Sequence, residues 1–327
     1  MRTRALVALA AAATAAALAR RARTLAPVAP ELRTPALWVP LALSGKLTLA
    51  AGRKLYPRPT SPVDGVTVSR RDVPGGLDAF VYEPDGRTRP GGALLWIHGG
   101  GTIIGAPEGD HELCSRLARH AGVLVVSVRY RLAPEHPFPA GLDDCSAALR
   151  WLHAEDAEFG VDPSRVAVGG ASAGGLLAAS VVQRAHDEGV PVAFQALVYP
   201  MLDDRTVLRR DHGGRGGLIW TPRSNRYAWS CYLGAAPGTA EPPRHAVPAR
   251  REDLTGLPPA WIGVGDLDLF HDEDLEYARR LGKAGVPVTV RVEPGMYHAA
   301  EVELHATAET MRAFREAMFD AVAAALA

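Results

Sequence analysis

Residues 165–177 read Arg-Val-Ala-Val-Gly-Gly-Ala-Ser-Ala-Gly-Gly-Leu-Leu, and this stretch decides the fold. Arg165–Val168 is a short apolar strand, and Ala173–His186 is a helix begun by small residues. Between them, Gly170-Ala171-Ser172-Ala173-Gly174 matches G-x-S-x-G. The pattern alone is weak. Its setting between strand and helix gives it meaning, because that sharp turn exposes a serine hydroxyl where only glycine fits on either side. The bland alternative, Ser172 as an ordinary helix cap, does not need the flanking glycines.

Upstream, Ala93–Ile97 (ALLWI) is a continuous apolar run, as a strand buried on both faces should be. It leads directly into His98-Gly99-Gly100-Gly101. Three consecutive glycines free the backbone to aim N–H groups at one point, which is what a developing oxyanion needs. A phosphate cradle would need a following Lys-Ser/Thr or a G-x-G-x-x-G register, and neither is present. His98, at the strand end, reads as a residue that shapes the loop. Together the two glycine motifs point to acyl transfer.

A serine nucleophile needs a base, and the base needs an orienting carboxylate, in the chain order Ser, Asp/Glu, His. The strand Ala260–Val264 runs into Gly265-Asp266-Leu267-Asp268, which leaves Asp266 and Asp268 as alternatives. Val288–Val292 is a strand that runs into Glu293-Pro294-Gly295-Met296-Tyr297-His298. Among the histidines after Ser172, His298 alone sits in a turn just past a strand. His305 falls on a helix, His271 opens one, and Asp272 and Asp274 read as charges at a helix start.

Short β-rich runs alternate with helical patterns from residue 60 onward, which argues for a mostly parallel sheet flanked by helices. Val66–Arg70 and Ala79–Tyr82 form a hairpin around Pro74-Gly75-Gly76, and Val123–Val128 and Ala193–Val198 are further strands. Leu142–Ala157, Glu273–Ala284 and Ala306–Ala325 are the remaining helices. Residues 201–256 break the alternation and carry Trp220, Tyr227, Trp229 and Tyr232, the composition of a lid or pocket wall. The expected organisation is a basic N-terminal segment (1–60), a first core part (61–200), a cap excursion (201–256) and a C-terminal core part (257–327).

The 327 residues contain 36 Lys+Arg against 36 Asp+Glu, so nothing supports nucleic-acid binding. Cys114, Cys145 and Cys231 are too scattered for a metal site or a disulfide framework, which suits a reducing compartment. The charge is uneven. Residues 1–60 carry ten basic side chains against Glu31 alone, a net +9, leaving −9 for the rest. Ala5–Ala19 is an uncharged run of fifteen, ten of them Ala, short of the roughly 20 apolar residues a membrane span needs. It reads as a signal peptide ending at Ala17-Leu18-Ala19, as a membrane-surface helix, or as a helix of the fold itself. Arg20, Arg21 and Arg23 directly after it favour cytoplasmic retention over export.

The motifs HGGGTIIG (98–105), YRLAPEHPFPAGLDD (130–144), GGASAGG (169–175), GDLDLFHDED (265–274) and GMYH (295–298) together resemble the hormone-sensitive-lipase-like family of α/β-hydrolase esterases, over about residues 60–325. The resemblance implies an α/β-hydrolase fold with a mainly helical cap drawn from residues 1–60 and parts of 201–256. It implies Ser172 as nucleophile, His298 as base, Asp268 rather than Asp266 as orienting acid, and the amides of Gly99, Gly100 and Ala173 as oxyanion hole. His98, Gly101, Gly170 and Gly174 would shape the motifs; Thr102, Trp220 and Trp229 are candidate pocket residues. Ala171, Thr102 and Ala300 depart from the family, where Asp or Thr, an aromatic and Phe are common. The implied activity is hydrolysis of short- to medium-chain acyl esters of small molecules, with no metal or organic cofactor. An amidase, carbamate hydrolase or peptidase using the same triad is one alternative, and a non-catalytic receptor keeping the pocket is another. Weak membrane-surface contact through residues 1–60 and a homodimer are further expectations.

Overall fold

The structure is a computed structural model describing residues 2–327 except 41, 57, 239 and 240. Its frame is an eight-stranded sheet: β1 (Val66–Val73), β2 (Leu77–Pro84), β3 (Gly91–Ile97), β4 (Leu124–Val128), β5 (Val161–Ala171), β6 (Phe194–Val198), β7 (Ala260–Gly265) and β8 (Val288–Glu293). The spatial order is β1-β2-β4-β3-β5-β6-β7-β8. β1 and β2 form the expected antiparallel hairpin, β2 pairs antiparallel with β4, and every later pairing is parallel.

Ten α-helices accompany the sheet among the described residues: α1 (Arg2–Leu25), α2 (Lys46–Leu55), α3 (His111–Ala121), α4 (Ala140–Ala154), α5 (Asp156–Phe159), α6 (Ala173–Glu188), α7 (Pro222–Leu233), α8 (His271–Lys283), α9 (Ala300–Leu304) and α10 (Glu309–Leu326). The period of two along β3 sorts its side chains into two cores. Leu95 and Ile97 pack with α4, α6 and α8, whereas Leu94 and Trp96 pack with α3 and α10. Burial on both faces is why β3, β4 and β6 read as unbroken apolar runs.

Several boundaries differ from those the sequence suggests. The helix expected over 142–157 is two, because Glu155 leaves helical geometry between α4 and α5. β5 begins at Val161 rather than Arg165, since Val161 pairs with Gly91 before a register shift. The helix expected from Ala306 starts at Glu309, preceded by the short α9. α3 went unread; its buried Leu113, Cys114, Leu117 and Ala118 form one stripe, and Gly122 ends it in the left-handed conformation. Asp272 and Asp274 both lie in the first turn of α8, as expected, but Asp274 is fully buried, whereas Asp272 pairs with Arg209 and Arg215.

The segment before β1 folds onto the rest at its middle. Leu25, Val28, Leu32 and Leu37 are buried in the same core as Leu218, Met296 and Tyr297. The Arg21 guanidinium donates to Leu37 O (2.6 Å) and Gly217 O (2.8 Å), and Ala29 N donates to Gly295 O (3.2 Å). α1 continues without interruption past Ala19, and residues 12–20 are exposed. No helix among the described residues is long and apolar enough to cross a membrane.

Candidate active site

The carboxyl ends of β5, β7 and β8 bring Ser172, Asp268 and His298 together. β5 ends at Ala171, and Ser172 turns the chain into α6 with φ 57° and ψ −117°, a strained conformation for a residue with a side chain. Ser172 N donates to Val198 O (2.8 Å), which pins the turn to β6. A Cβ on Gly174 would lie 1.9 Å from Ile97 O, so the close approach of α6 to β3 requires glycine there.

His298 Nε2 stands 3.0 Å from Ser172 Oγ, and His298 Nδ1 stands 2.7 Å from Asp268 Oδ2. The carboxylate can only accept, so Nδ1 carries the proton and Nε2 is left to accept from the serine hydroxyl. Asp268 is fully buried, and its Oδ1 accepts from Phe270 N (3.0 Å). Asp266, the other carboxylate the sequence left open, has a separate place: its Oδ1 accepts from Gly295 N (2.7 Å) and braces the turn that carries His298. The imidazole is enclosed by rings, with Tyr199 at 4.7 Å, Phe270 at 5.3 Å and Trp220 at 6.1 Å between centroids.

The glycine loop after β3 lies against the serine. A Cβ on Gly99 would sit 2.9 Å from Ala171 O and 3.6 Å from Ser172 Cβ. Gly100 adopts φ 116°, and its carbonyl accepts from Ile103 N (3.1 Å) and Ile104 N (3.0 Å), folding the loop back on itself. Ala173 N is the first amide of α6, a donor with no partner inside its own helix. Gly99 and Ala173 thus flank Ser172, and Gly100 continues the same loop. His98 is buried, stacks on Tyr130 at 4.3 Å and bonds through Nδ1 to Gly99 O (2.9 Å). Burial lowers its pKa to about 4, so it holds the loop as a neutral ring.

The candidate pocket residues separate. Trp220 covers the loop: a Cβ on Gly101 would come 2.4 Å from its ring, and its indole Nε1 donates to Asn225 Oδ1 (3.3 Å). Thr102 (φ 63°) turns its hydroxyl back onto Gly101 O (2.6 Å), while its carbonyl accepts from Ala133 N (2.9 Å). Trp229, on α7, is fully buried against Tyr232, 5.8 Å between centroids. The 130–144 signature stretch is tied to α4 by a bidentate pair, Arg131 with Asp144 at 2.7–2.9 Å.

Two supports escaped sequence reasoning. Tyr199 (φ 34°) packs edge-on to His298 and donates its hydroxyl to Glu301, also buried. Glu301 follows His298 by three residues, in the first turn of α9. Glu273 Oε1 accepts from Leu202 N (2.7 Å) and Asp203 N (3.1 Å), and Oε2 from Thr206. It ties the chain leaving β6 to the helix that follows Asp268. Burial pushes its carboxyl up to about 8 and raises Asp274 beside it as well.

The fold and this geometry define a class, the serine hydrolases of α/β-hydrolase architecture. A family model described as alpha/beta hydrolase fold matches residues 94–302. The chain is 34% identical to Esterase LipI of Mycobacterium tuberculosis over 274 residues, 83% of this chain and 76% of the relative. It is 35% identical to an ethyl acetate hydrolase of Pseudomonas putida over 68% of this chain and 70% of that one. Among solved structures, a bacterial heroin esterase superimposes with TM-score 0.81 at 36% identity, covering 93% of this chain and 99% of the other. The chain belongs to the α/β-hydrolase family and, within it, to the hormone-sensitive-lipase-like esterases.

Proposed function

We propose that the protein is a carboxylesterase that hydrolyses short- to medium-chain acyl esters of small molecules through an acyl-enzyme. Ser172 attacks the acyl carbonyl while His298 Nε2 takes its proton. The oxyanion is held by the amides of Gly99, Gly100 and Ala173, and it collapses as His298 returns the proton to the leaving alcohol. Water, deprotonated by the same imidazole, then attacks the acyl-enzyme. A second tetrahedral collapse frees the acid and restores the Ser172 hydroxyl. Asp268 fixes the imidazole tautomer and stabilises the imidazolium. The observation that carries this reading is the hydrogen-bonded series Ser172–His298–Asp268, at 3.0 and 2.7 Å, with Gly99 against the serine.

Residues 1–60 and 201–256 act as the cap over a core of 61–200 and 257–327, a division supported by the position of Trp220 above the glycine loop. Exposed Val290 and Val292 on edge strand β8 support a homodimer formed across that edge. Three free cysteines support a reducing, cytoplasmic setting, and the basic, apolar surface of residues 1–60 supports contact with a membrane. The test is hydrolysis of p-nitrophenyl esters from acetate to palmitate by wild type and Ser172→Ala. Activity should peak at short or medium chains and vanish in the variant. Hydrolysis of the longest chains alone, or of matched amides in preference to esters, would overturn the substrate assignment.

A further inference from the structure

The site lies beneath Trp220, and the segment bonded to the neighbours of that tryptophan carries most of the large hydrophobic side chains exposed among the described residues. Ser172 and His298 are only 5% and 4% exposed beneath Trp220, itself 6% exposed. The N-terminal segment is bonded to the supports of Trp220 on two sides. Arg21 donates to Gly217 O three residues before Trp220, and Leu43 N donates to Ser224 Oγ (3.1 Å), next to the Asn225 that holds the indole. Arg53 on α2 donates to Ile103 O (2.8 Å) and Ala133 O (2.9 Å), the two stretches flanking the glycine loop.

The outer side of the same segment is unusual. Six of the ten large hydrophobic side chains exposed among the described residues lie in it: Leu18, Trp38, Val39, Leu47, Leu55 and Tyr56, with Leu47 88% exposed. Arg20, Arg23, Lys46, Lys54 and Arg58 are exposed alongside them, within a stretch of net charge +9 on a molecule whose remainder is −9. A surface that is both apolar and strongly basic is matched by a bilayer with anionic headgroups. A second copy of this chain would bring like charges together. No described helix is long and apolar enough to cross a membrane, which leaves surface contact as the mode open to α1 and α2.

We infer that residues 1–60 dock on anionic membranes and that docking pulls on the Gly217 and Ser224 attachments and draws Trp220 off the glycine loop, opening the site to esters carried by the lipid phase. The activation half of this inference rests on the carboxylesterase reading; the docking half does not. Docking is read with full-length Ser172→Ala, sedimented with vesicles of phosphatidylcholine alone or with about 30% phosphatidylglycerol. Partitioning should be at least about tenfold stronger on the anionic vesicles and should collapse in about 0.5 M salt, where screening shortens to about 4 Å. The exposed triple variant Trp38→Glu/Leu47→Glu/Leu55→Glu, checked for folding by circular dichroism, should lose at least about tenfold.

Gating is read as the ratio of p-nitrophenyl butyrate hydrolysis with and without anionic vesicles, which should rise at least about threefold in wild type and stay near one in the triple variant. Absence of binding, equal binding to both vesicle types, or binding indifferent to the triple variant would overturn the docking. Binding with an unchanged activity ratio would overturn the gate. Loss of a dimer rather than of vesicle binding in the triple variant would reassign the surface to self-association and overturn the inference. A wild type that binds vesicles yet hydrolyses no ester would count against the carboxylesterase reading while leaving the docking in place.

Discussion

At the scale of single residues, the site depends on a few conformations that only particular side chains permit. Ser172 holds φ 57° because Val198 O and the start of α6 leave the turn no alternative. Ser172→Ala keeps that turn and removes only the nucleophile, so kcat should fall about 10⁶-fold, with about 10³ surviving from the amides and binding. A melting curve matching wild type would assign the loss to chemistry. Tyr199 packs edge-on to His298, so its expected effect is on the imidazole rather than on the substrate. Tyr199→Phe leaves the ring against the imidazole but takes the hydroxyl from Glu301, a buried carboxylate. We expect kcat to drop about three- to tenfold with KM held, since a looser imidazole slows proton transfer without changing the pocket. A change confined to KM would show that the pair serves only the cap.

At the scale of elements, the path from β6 and the start of α8 hold each other through Glu273. Its carboxyl is raised to about 8 by burial, well above its unfolded value, so the folded state binds more protons than the unfolded one between those two values. Its contribution is therefore fully present at low pH and is lost as pH rises toward 8. Asp274, buried beside it and also raised, acts in the same direction. Glu273→Gln keeps an acceptor for Leu202 N and Asp203 N without the ionisation. Wild-type Tm should fall by about 5 °C or more between pH 6 and pH 9, and the variant should lose less than half as much. The loop before α7 makes a different prediction. Trp220 separates the glycine loop from solvent, so Trp220→Ala should widen the site and shift the chain-length optimum toward longer esters. Activity on p-nitrophenyl butyrate relative to octanoate is the measurement.

At the scale of the whole molecule, the N-terminal segment is part buried and part exposed. Leu25, Val28, Leu32 and Leu37 fill the core beside the His298 turn, whereas residues 12–20 are exposed. Deleting residues 1–19 should leave Tm within about 2 °C of wild type; deleting 1–38 removes four buried apolar side chains and should cost about 10 °C or more. The sequence by itself determined the layered α/β frame, because strands buried on both faces must be continuous apolar runs and helices between them must repeat near 3.6. It also singled out Ser172, His298 and the glycine loop, since catalysis at a strand end needs glycine in positions no other residue fits. The ambiguity between Asp266 and Asp268 had a different character. Both stand two residues apart at one strand end, and only the packing of the His298 turn sends one to the imidazole and the other to Gly295 N. The contacts of Tyr199, Glu273 and Glu301, and the place of Trp220 over the glycine loop, likewise belong to the tertiary structure. They join groups distant along the chain, and such pairings leave no local period or motif to read.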